Sequence, residues 1–366
     1  MMRIGIIGLP NVGKSTLFNA LTAGAAPAEN YPFCTVEPNV GVVPVPDRRL
    51  ERLAAVVSPP QVIPAVIEFA DIAGLVQGAS KGEGLGNQFL GHIRNVDALA
   101  HVVRCFEHPD VTHVMGTIDP VRDHDVVLTE LALADLAAVE RRLDKVKKAA
   151  RSGDKDAAAE EQTLARIVGE LDAGRPAYAA ITSEDDARLA REIGLLTALP
   201  VIYAANISEE DLGKAEIPEV AALVAAVRHL AETAEVLVFS AEFEAELAEL
   251  EEPERAEFLT SVGLDQPGLD RFVAACYRLL GLETFFTFNE KEARAWTIPG
   301  GSTAYDAAGK IHSDFQRGFI RADTIHVDDL VAAGAYKVAR EKGLIRSEGR
   351  DHLVRDGDVL LFRFNV

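Results

Sequence analysis

Gly8-Leu9-Pro10-Asn11-Val12-Gly13-Lys14-Ser15-Thr16 follows the apolar run Arg3–Ile7 and opens a helical stretch. The spacing is G-x-x-x-x-G-K-[ST], and a strand before it with a helix after it is the context in which this pattern cradles phosphate. Glycines let backbone N–H groups wrap closely around an anion, and the helix N-terminus adds partial positive charge. Asn11, Val12, Gly13, Lys14, Ser15 and Thr16 are therefore read as nucleotide-binding residues. Lys14 is placed to reach the β- and γ-phosphates, and the Ser15 hydroxyl to ligate Mg²⁺.

A phosphate loop of this kind needs a second metal partner and a sensor for the terminal phosphate. Asp71-Ile72-Ala73-Gly74 ends the apolar run Val62–Phe69 and fits D-x-x-G. Asp71 is the metal candidate, and the Gly74 N–H is the group that would meet the γ-phosphate during catalysis. Thr35, in Asn30-Tyr31-Pro32-Phe33-Cys34-Thr35, lies between these motifs and is the third metal candidate. Leu75 follows Gly74 where Ras-like enzymes place a water-orienting glutamine. A leucine cannot hydrogen-bond water, so hydrolysis is expected to be slow or to use another group. The glycine-rich run 74–86 reads as a switch ordered by nucleotide. His113, just before a helical insertion, is either a water-positioning catalytic group or a surface histidine.

Guanine recognition commonly uses N-K-x-D after a late strand. Here Pro200–Ala205 is followed by Asn206-Ile207-Ser208-Glu209, with Ile for Lys and Glu for Asp. The bidentate lock on guanine is weakened or misplaced, and that can change base discrimination by a few kcal/mol. Asn206 and the Ile207 backbone could serve adenine instead, so ATP is preferred, with GTP weaker. Glu209 remains a base-end candidate. Ser240 and Ala241 of Ser240-Ala241-Glu242, after Val236–Phe239, stand in the place of the second base loop.

Outward from these motifs, Arg3–Ile7, Val40–Val45, Val62–Phe69, Ala98–Cys105, Pro200–Ala205 and Val236–Phe239 read as buried strands separated by helices. That texture predicts an α/β fold with a mostly parallel sheet. Between them, Ala132, Leu136, Val139, Leu143, Val146 and Ala150 form one helical stripe. Leu164, Ile167, Val168 and Leu171 form a second beyond Ser152-Gly153-Asp154. The pair predicts an inserted coiled-coil hairpin. Glu242–Glu257 reads as a glutamate-rich helix. After Leu282, Thr284–Phe288, Ala293–Ile298 and Val359–Phe364 read as strands around a helix near Thr303–Phe315. The expected domains are 1–120 with 200–281 for the nucleotide, 121–199 for the hairpin, and 282–366 for a C-terminal module.

The 366 residues carry a formal charge of −20, with 48% hydrophobic and 26% charged residues, which excludes wholesale disorder. The acidic balance argues against coating nucleic acid by charge alone. Most of it, −12, falls in residues 201–281, whereas residues 282–366 carry only −1. Cys34, Cys105 and Cys276 are too scattered for a disulfide framework or a zinc site. There is no signal-peptide pattern and no apolar stretch near the ~20 residues of a membrane span, so the chain reads as cytosolic, without a membrane or DNA partner.

Together these residues resemble the Obg-like ATPase family, also called YchF. The resemblance runs from Gly8–Thr16 through Asn30–Thr35, Asp71–Gly86 and Asn206–Glu209 to the C-terminal module. Arg294-Ala295-Trp296-Thr297-Ile298-Pro299, Lys310-Ile311-His312-Ser313-Asp314-Phe315 and the ending Phe362-Arg363-Phe364-Asn365-Val366 resemble that family's TGS domain, a ubiquitin-like β-grasp. The resemblance implies an OBG-type P-loop domain, slow Mg²⁺-dependent ATP hydrolysis, and association with the ribosome, its large subunit and rRNA, in translation or stress response. It carries Ser15 and Thr35 over as metal ligands and Asn206 and Ile207 as base contacts, and it favours the catalytic reading of His113. An Asn at the place of Asn11 implies a K⁺ ion in the role of an arginine finger. The competing functions are an Obg-type GTPase of ribosome assembly and a catalytically inert nucleotide-binding scaffold. Arg141, Arg142, Lys145, Lys147, Lys148 and Arg151 on the hairpin are either an rRNA contact or a solvated face.

Overall fold

The apolar runs become strands in the computed structural model, which describes residues 2–23, 39–72, 74, 90–214, 216–231 and 234–365. In chain order they are β1 (Arg3–Ile7), β2 (Val40–Pro44), β3 (Gln61–Ile63), β4 (Val66–Asp71), β5 (Ala98–Arg104), β6 (Val201–Asn206), β7 (Val236–Phe239), β8 (Leu282–Phe288), β9 (Glu292–Pro299), β10 (Phe319–His326), β11 (Arg346–Glu348) and β12 (Asp358–Phe364). One six-stranded sheet has the order β2-β4-β1-β5-β6-β7, and β1 pairs in parallel with both β4 and β5. Every residue of β5 is buried, as expected where both faces of a parallel sheet are covered. The carboxyl ends of β1, β4 and β6 carry the phosphate loop, Asp71 and Asn206, the edge at which open α/β sheets bind ligands.

The chain forms two compact units, Met1–Gly41 with Glu68–Leu269 and Val42–Ile67 with Asp270–Val366. The sequence reading places residues 42–67 in the first domain, whereas they fall in the second compact unit. The run Val62–Phe69 is not one strand. Pro64 offers no N–H and ends β3 at Ile63, and β4 starts two residues later. β3 pairs in parallel with β9, whereas β4 pairs with β1. The segment is further held by Arg49, whose guanidinium bridges Asp47 and Asp356, while Asp356 Oδ1 also accepts the Thr284 N–H at 2.8 Å.

The second unit's sheet has the order β11-β10-β12-β8-β9-β3. Ala304, Ala307 and Ala308, from the helix Ala304–Ile311, pack on its Phe285, Phe319, Ala322 and Leu360. Small side chains there let the helix backbone approach the sheet. The expected helix near Thr303–Phe315 is two helices, broken at His312. β10 and β11 were not legible as strands, because Arg321 and Asp323 interrupt the apolar pattern of β10.

The hairpin consists of α-helices Pro120–Arg151 and Lys155–Asp172, joined across Ser152–Asp154. Asp119 and Asp154 cap their N-termini by accepting backbone N–H groups of the first turn. Val139, Val146, Leu164, Ile167 and Leu171 form the buried seam, with Leu136 and Leu143 against it, on the predicted stripes. Asp135 fastens the first helix: it accepts from the Leu196 and Thr197 N–H groups and the Thr197 hydroxyl at 2.7–2.8 Å. The glutamate-rich stretch is two helices, Ala241–Glu249 and Glu252–Ser261, interrupted ahead of Pro253. No helix among the described residues is long and apolar enough to cross a membrane.

Behind the phosphate loop, the rings of His101, His124 and Tyr203 cluster with centroids 5.3–5.7 Å apart. Burial holds both histidines below their ordinary pKa, and for His101 the charges of His124 and Lys14 add to it. Neither nitrogen of His124 has a hydrogen-bond partner. The unfolded chain takes up protons below about pH 6.5 that these folded rings refuse. Their contribution to stability is thus complete above that pH and is lost below it, at up to about 1.4 kcal/mol per pH unit for each ring. Burial raises the Asp135 carboxyl to about 6, which works in the opposite direction below that value. Comparison at matched pH isolates the histidine: urea midpoints of the wild type and His124→Phe should diverge from pH 7.5 to 5.5, the variant losing less.

Candidate functional site

The phosphate loop owes its path to three left-handed residues, Gly8 (φ 148°), Asn11 (φ 62°) and Gly13 (φ 98°). A Cβ on Gly8 would lie 2.4 Å from the Val102 carbonyl oxygen, and one on Gly13 would lie 2.3 Å from Asn206 Nδ2. Asparagine tolerates the left-handed region better than most residues, which suits Asn11. The Asn11 amide also donates to the Thr112 carbonyl at 3.1 Å.

Lys14 starts the helix Lys14–Ala23 and is buried, with its ammonium donating to the Leu9 carbonyl at 2.7 Å. Burial lowers its pKa to about 8 against the pull of the Asp71 charge. Ser15 Oγ donates to Asp71 Oδ2 at 2.8 Å, so the two predicted metal ligands meet although they are 56 residues apart. Gly74 completes this end: a Cβ there would lie 3.1 Å from Lys14 Nζ and from the Pro10 nitrogen. Thr35, Leu75 and the rest of the run 75–86 lie outside the described residues.

Asn206, expected at the base end, also makes two hydrogen bonds within the protein. Its Nδ2 donates to the Val12 carbonyl at 3.0 Å, and its Oδ1 accepts the Ala241 N–H at 2.9 Å. The amide clamps the phosphate loop to the second base loop, and with its second N–H and second lone pair it still lines the cavity beside them. Ser240 caps the helix Ala241–Glu249 through its hydroxyl, which accepts the Phe243 N–H. Glu209 is exposed and does not line the adjoining cavity.

That cavity, about 480 Å³, is lined by Asn11, Gly13 and Thr16 of the phosphate loop, by Asn206 and Ile207, and by Ala241, Glu242, Ala245, Glu246 and Glu249. Its remaining wall is Phe106, His108 and Val111, which sequence reasoning missed. These three sit in a loop with no motif of its own. The signal lies one residue before Cys105: Arg104, fully buried, donates to the Phe106 and Val111 carbonyls at 3.0 Å and stacks over the Phe106 ring.

His113 is neither on the surface nor free to hold water. It is buried, Nδ1 accepts the Met115 N–H at 3.1 Å, and Nε2 lies 2.7 Å from Asp123 Oδ2. With Nδ1 accepting, the proton belongs on Nε2, which donates to Asp123.

The parallel sheet, the complete phosphate loop and the Ser15–Asp71 pair define a P-loop nucleotide-binding protein of the GTPase type. Residues 3–162 match the family model MMR_HSR1, described as "50S ribosome-binding GTPase", and residues 282–365 match YchF-GTPase_C, described as "Protein of unknown function". Named "Ribosome-binding ATPase YchF", the relative from Escherichia coli O157:H7 is 49% identical over 365 residues, covering 100% of this chain and 99% of its own length. The one from Bacillus subtilis is 49% identical, covering 99% of each chain, and the one from Mycoplasma genitalium 43%, covering 100% of each. The solved Schizosaccharomyces pombe YchF GTPase superposes with a TM-score of 0.89 at 32% identity, over 99% of this chain and 97% of its own. The chain belongs to the YchF family.

Replacing Asn206 with Ala leaves a buried carbonyl and a buried N–H unpaired, at about 1–3 kcal/mol each. A lower melting temperature, with nucleotide affinity reduced at least tenfold, is expected from scanning calorimetry and titration of Asn206→Ala; unchanged affinity would show that the clamp does not shape the site.

Proposed function

We propose that this protein is a Mg²⁺-dependent ATPase of low intrinsic rate that associates with the ribosome through its large subunit. What carries the reading is the contrast between the two ends of the site. The phosphate loop, Asp71 and Gly74 come together at one end, whereas at the base end Ile207 lines the cavity and Glu209 stands outside it. A site lacking the guanine-reading carboxylate at its usual place favours ATP over GTP. The names of the 41–50% identical relatives support both ATP and the ribosome.

Ser15 Oγ and Asp71 Oδ2 are hard oxygen donors in contact, which fits Mg²⁺, an ion that takes one or two protein oxygens and completes its shell with substrate phosphates and water. Bound there, it would neutralise charge on the phosphate oxygens. Thr35 is the further ligand in this reading. Lys14, a buried cation with one carbonyl partner, directs its remaining N–H donors to the β- and γ-phosphates, and the Gly74 N–H meets the γ-phosphate. Val12, Gly13 and Thr16 supply backbone donors, and Ile207, Ser240 and Ala241 shape the base end. His113 orients water only after its ring leaves Asp123 and Met115, and Leu75 orients none, so hydrolysis is slow. Asn11 is the K⁺ ligand in this reading.

We read residues 282–366 as a TGS-type β-grasp, residues 121–199 as the ribosome-facing insertion, and the protein as cytoplasmic, regulating translation or stress response. Lys145 and Lys148 are exposed on the hairpin, whereas Arg142 is engaged by Glu160.

Competition titration should show ATP binding more tightly than GTP, with phosphate release faster in K⁺ than in Na⁺ buffer. A tenfold preference for GTP overturns the ATP reading, and equal rates in the two salts remove K⁺. Absence of phosphate release with Mg²⁺, K⁺ and ribosomes present would mark a binding module. Charge reversal of Lys145, Lys147 and Lys148 to Glu should reduce ribosome co-sedimentation several-fold at low salt; unchanged binding refutes the hairpin contact.

A further inference from the structure

The loop between β5 and the hairpin folds back on itself at His113. A tight turn closes it: the Gly116 N–H donates to the His113 carbonyl at 3.0 Å, and Gly116 is left-handed (φ 83°). On the outer edge of that turn Val114 is 46% and Met115 37% exposed, whereas the side chains of His113 and Asp123 are each 3% exposed. The imidazole is thus turned inward from a loop whose own surface faces water. Its entry side is joined to the phosphate loop, because the Asn11 amide donates to the carbonyl of Thr112.

Asp123 is the group that holds the ring, and it is itself held. Its Oδ2 accepts from His113 Nε2 at 2.7 Å. Its Oδ1 accepts twice from Arg122, from Nε at 3.2 Å and from Nη2 at 2.9 Å. The same guanidinium donates to the Thr117 hydroxyl at 3.0 Å and to the Thr117 carbonyl at 2.6 Å, so Arg122 ties the carboxylate to the far end of the loop. Buried Arg104, which holds the Phe106 and Val111 carbonyls, adds its attraction for the Asp123 charge. Forked, charge-assisted bonds are the stronger kind of hydrogen bond. Both carboxylate oxygens and both ring nitrogens are engaged, and the one lone pair of the neutral ring, on Nδ1, already accepts the Met115 N–H.

We propose that Asp123 is a positioning residue for hydrolysis: braced by Arg122, it withholds His113 from the attacking water and sets the low basal rate. The inference rests on the reading of His113 as the water-orienting group. A group that is competent in only a fraction of molecules delivers its effect in proportion to that fraction. Weakening the clasp therefore raises kcat. It leaves KM for ATP alone, because none of the three side chains lines the nucleotide cavity.

An isosteric change exposes the dependence. In Asp123→Asn, an amide whose oxygen faces Arg122 presents its NH2 group to Nε2. The ring proton must then move to Nδ1, where it meets the Met115 N–H. Turned the other way, the NH2 group opposes the guanidinium. Either orientation loses a contact at nearly constant volume.

Steady-state ATP hydrolysis with Mg²⁺ and without ribosomes is compared for the full-length wild type, Asp123→Asn, Arg122→Ala, His113→Ala and the double variant His113→Ala/Asp123→Asn. kcat should rise at least fivefold in Asp123→Asn and at least twofold in Arg122→Ala, with KM for ATP unchanged, a split that a merely structural role would not produce. The double variant should show no gain over His113→Ala. An Asp123→Asn rate at or below that of the wild type overturns the proposal. So does an equal gain in the double variant, which would mean that the carboxylate does not act through the ring. If Asp123→Asn fails to fold by circular dichroism, Arg122→Ala decides, since that side chain is 29% exposed, and no gain there overturns the proposal as well. A slower His113→Ala with no gain in either clasp variant defeats the clasp and leaves the reading of His113 standing; no change in any of the three defeats that reading.

Discussion

The Asn206 amide is the constraint on which the nucleotide site rests. It holds the Val12 carbonyl with one end and the Ala241 N–H with the other, tying the loop after β1 to the loop after β7. Gly13 must lack a side chain to admit it, since a Cβ would lie 2.3 Å from Nδ2. An amide serves here because it is donor and acceptor at once; an aspartate would offer the Val12 carbonyl no donor. With this bridge in place, Lys14, Ser15 and the cavity wall occupy one rigid edge of the sheet.

Among the described residues Lys14 is buried with the Leu9 carbonyl as its hydrogen-bond partner, and the Ser15 hydroxyl contacts the Asp71 carboxylate. A buried cation near adjacent oxygen ligands is favourable once a polyphosphate and its metal arrive. By contrast, the clasp of His113 on Asp123 is satisfied as it stands, both ring nitrogens being engaged. Hydrolysis and binding thus draw on groups in different conditions: the binding groups await a ligand, and the histidine already has partners.

The strands that carry the site were legible because β1, β5 and β6 are predominantly apolar runs, and the phosphate loop because its residue types and spacing are dictated by anion geometry. The hairpin was legible because its seam repeats at three and four residues. The role of Asn206 was not legible, because an asparagine after a strand gives no indication of which atoms its amide will meet 194 residues away. The burial of His113 depends on Asp123, ten residues on and itself unmarked. Phe106 and Val111 line the cavity because a buried arginine holds their loop, a tertiary contact with no local pattern. The Val62–Phe69 run misled because its apolar content is continuous across Pro64, and the proline decides which sheet each half joins.

The same clamp orders the biosynthesis of the site. Val12 and Asn206 are 194 residues apart, and Ala241 is 35 further on. At about 5–20 residues per second, a growing chain carries an unclamped phosphate loop for roughly 10–40 s before Asn206 exists. The hairpin 120–172, built from local contacts, can form during that interval, because short loop closures are fast. A nascent chain therefore acquires its long helical arm before it acquires a nucleotide site, and chains truncated before residue 241 would present the arm without the site.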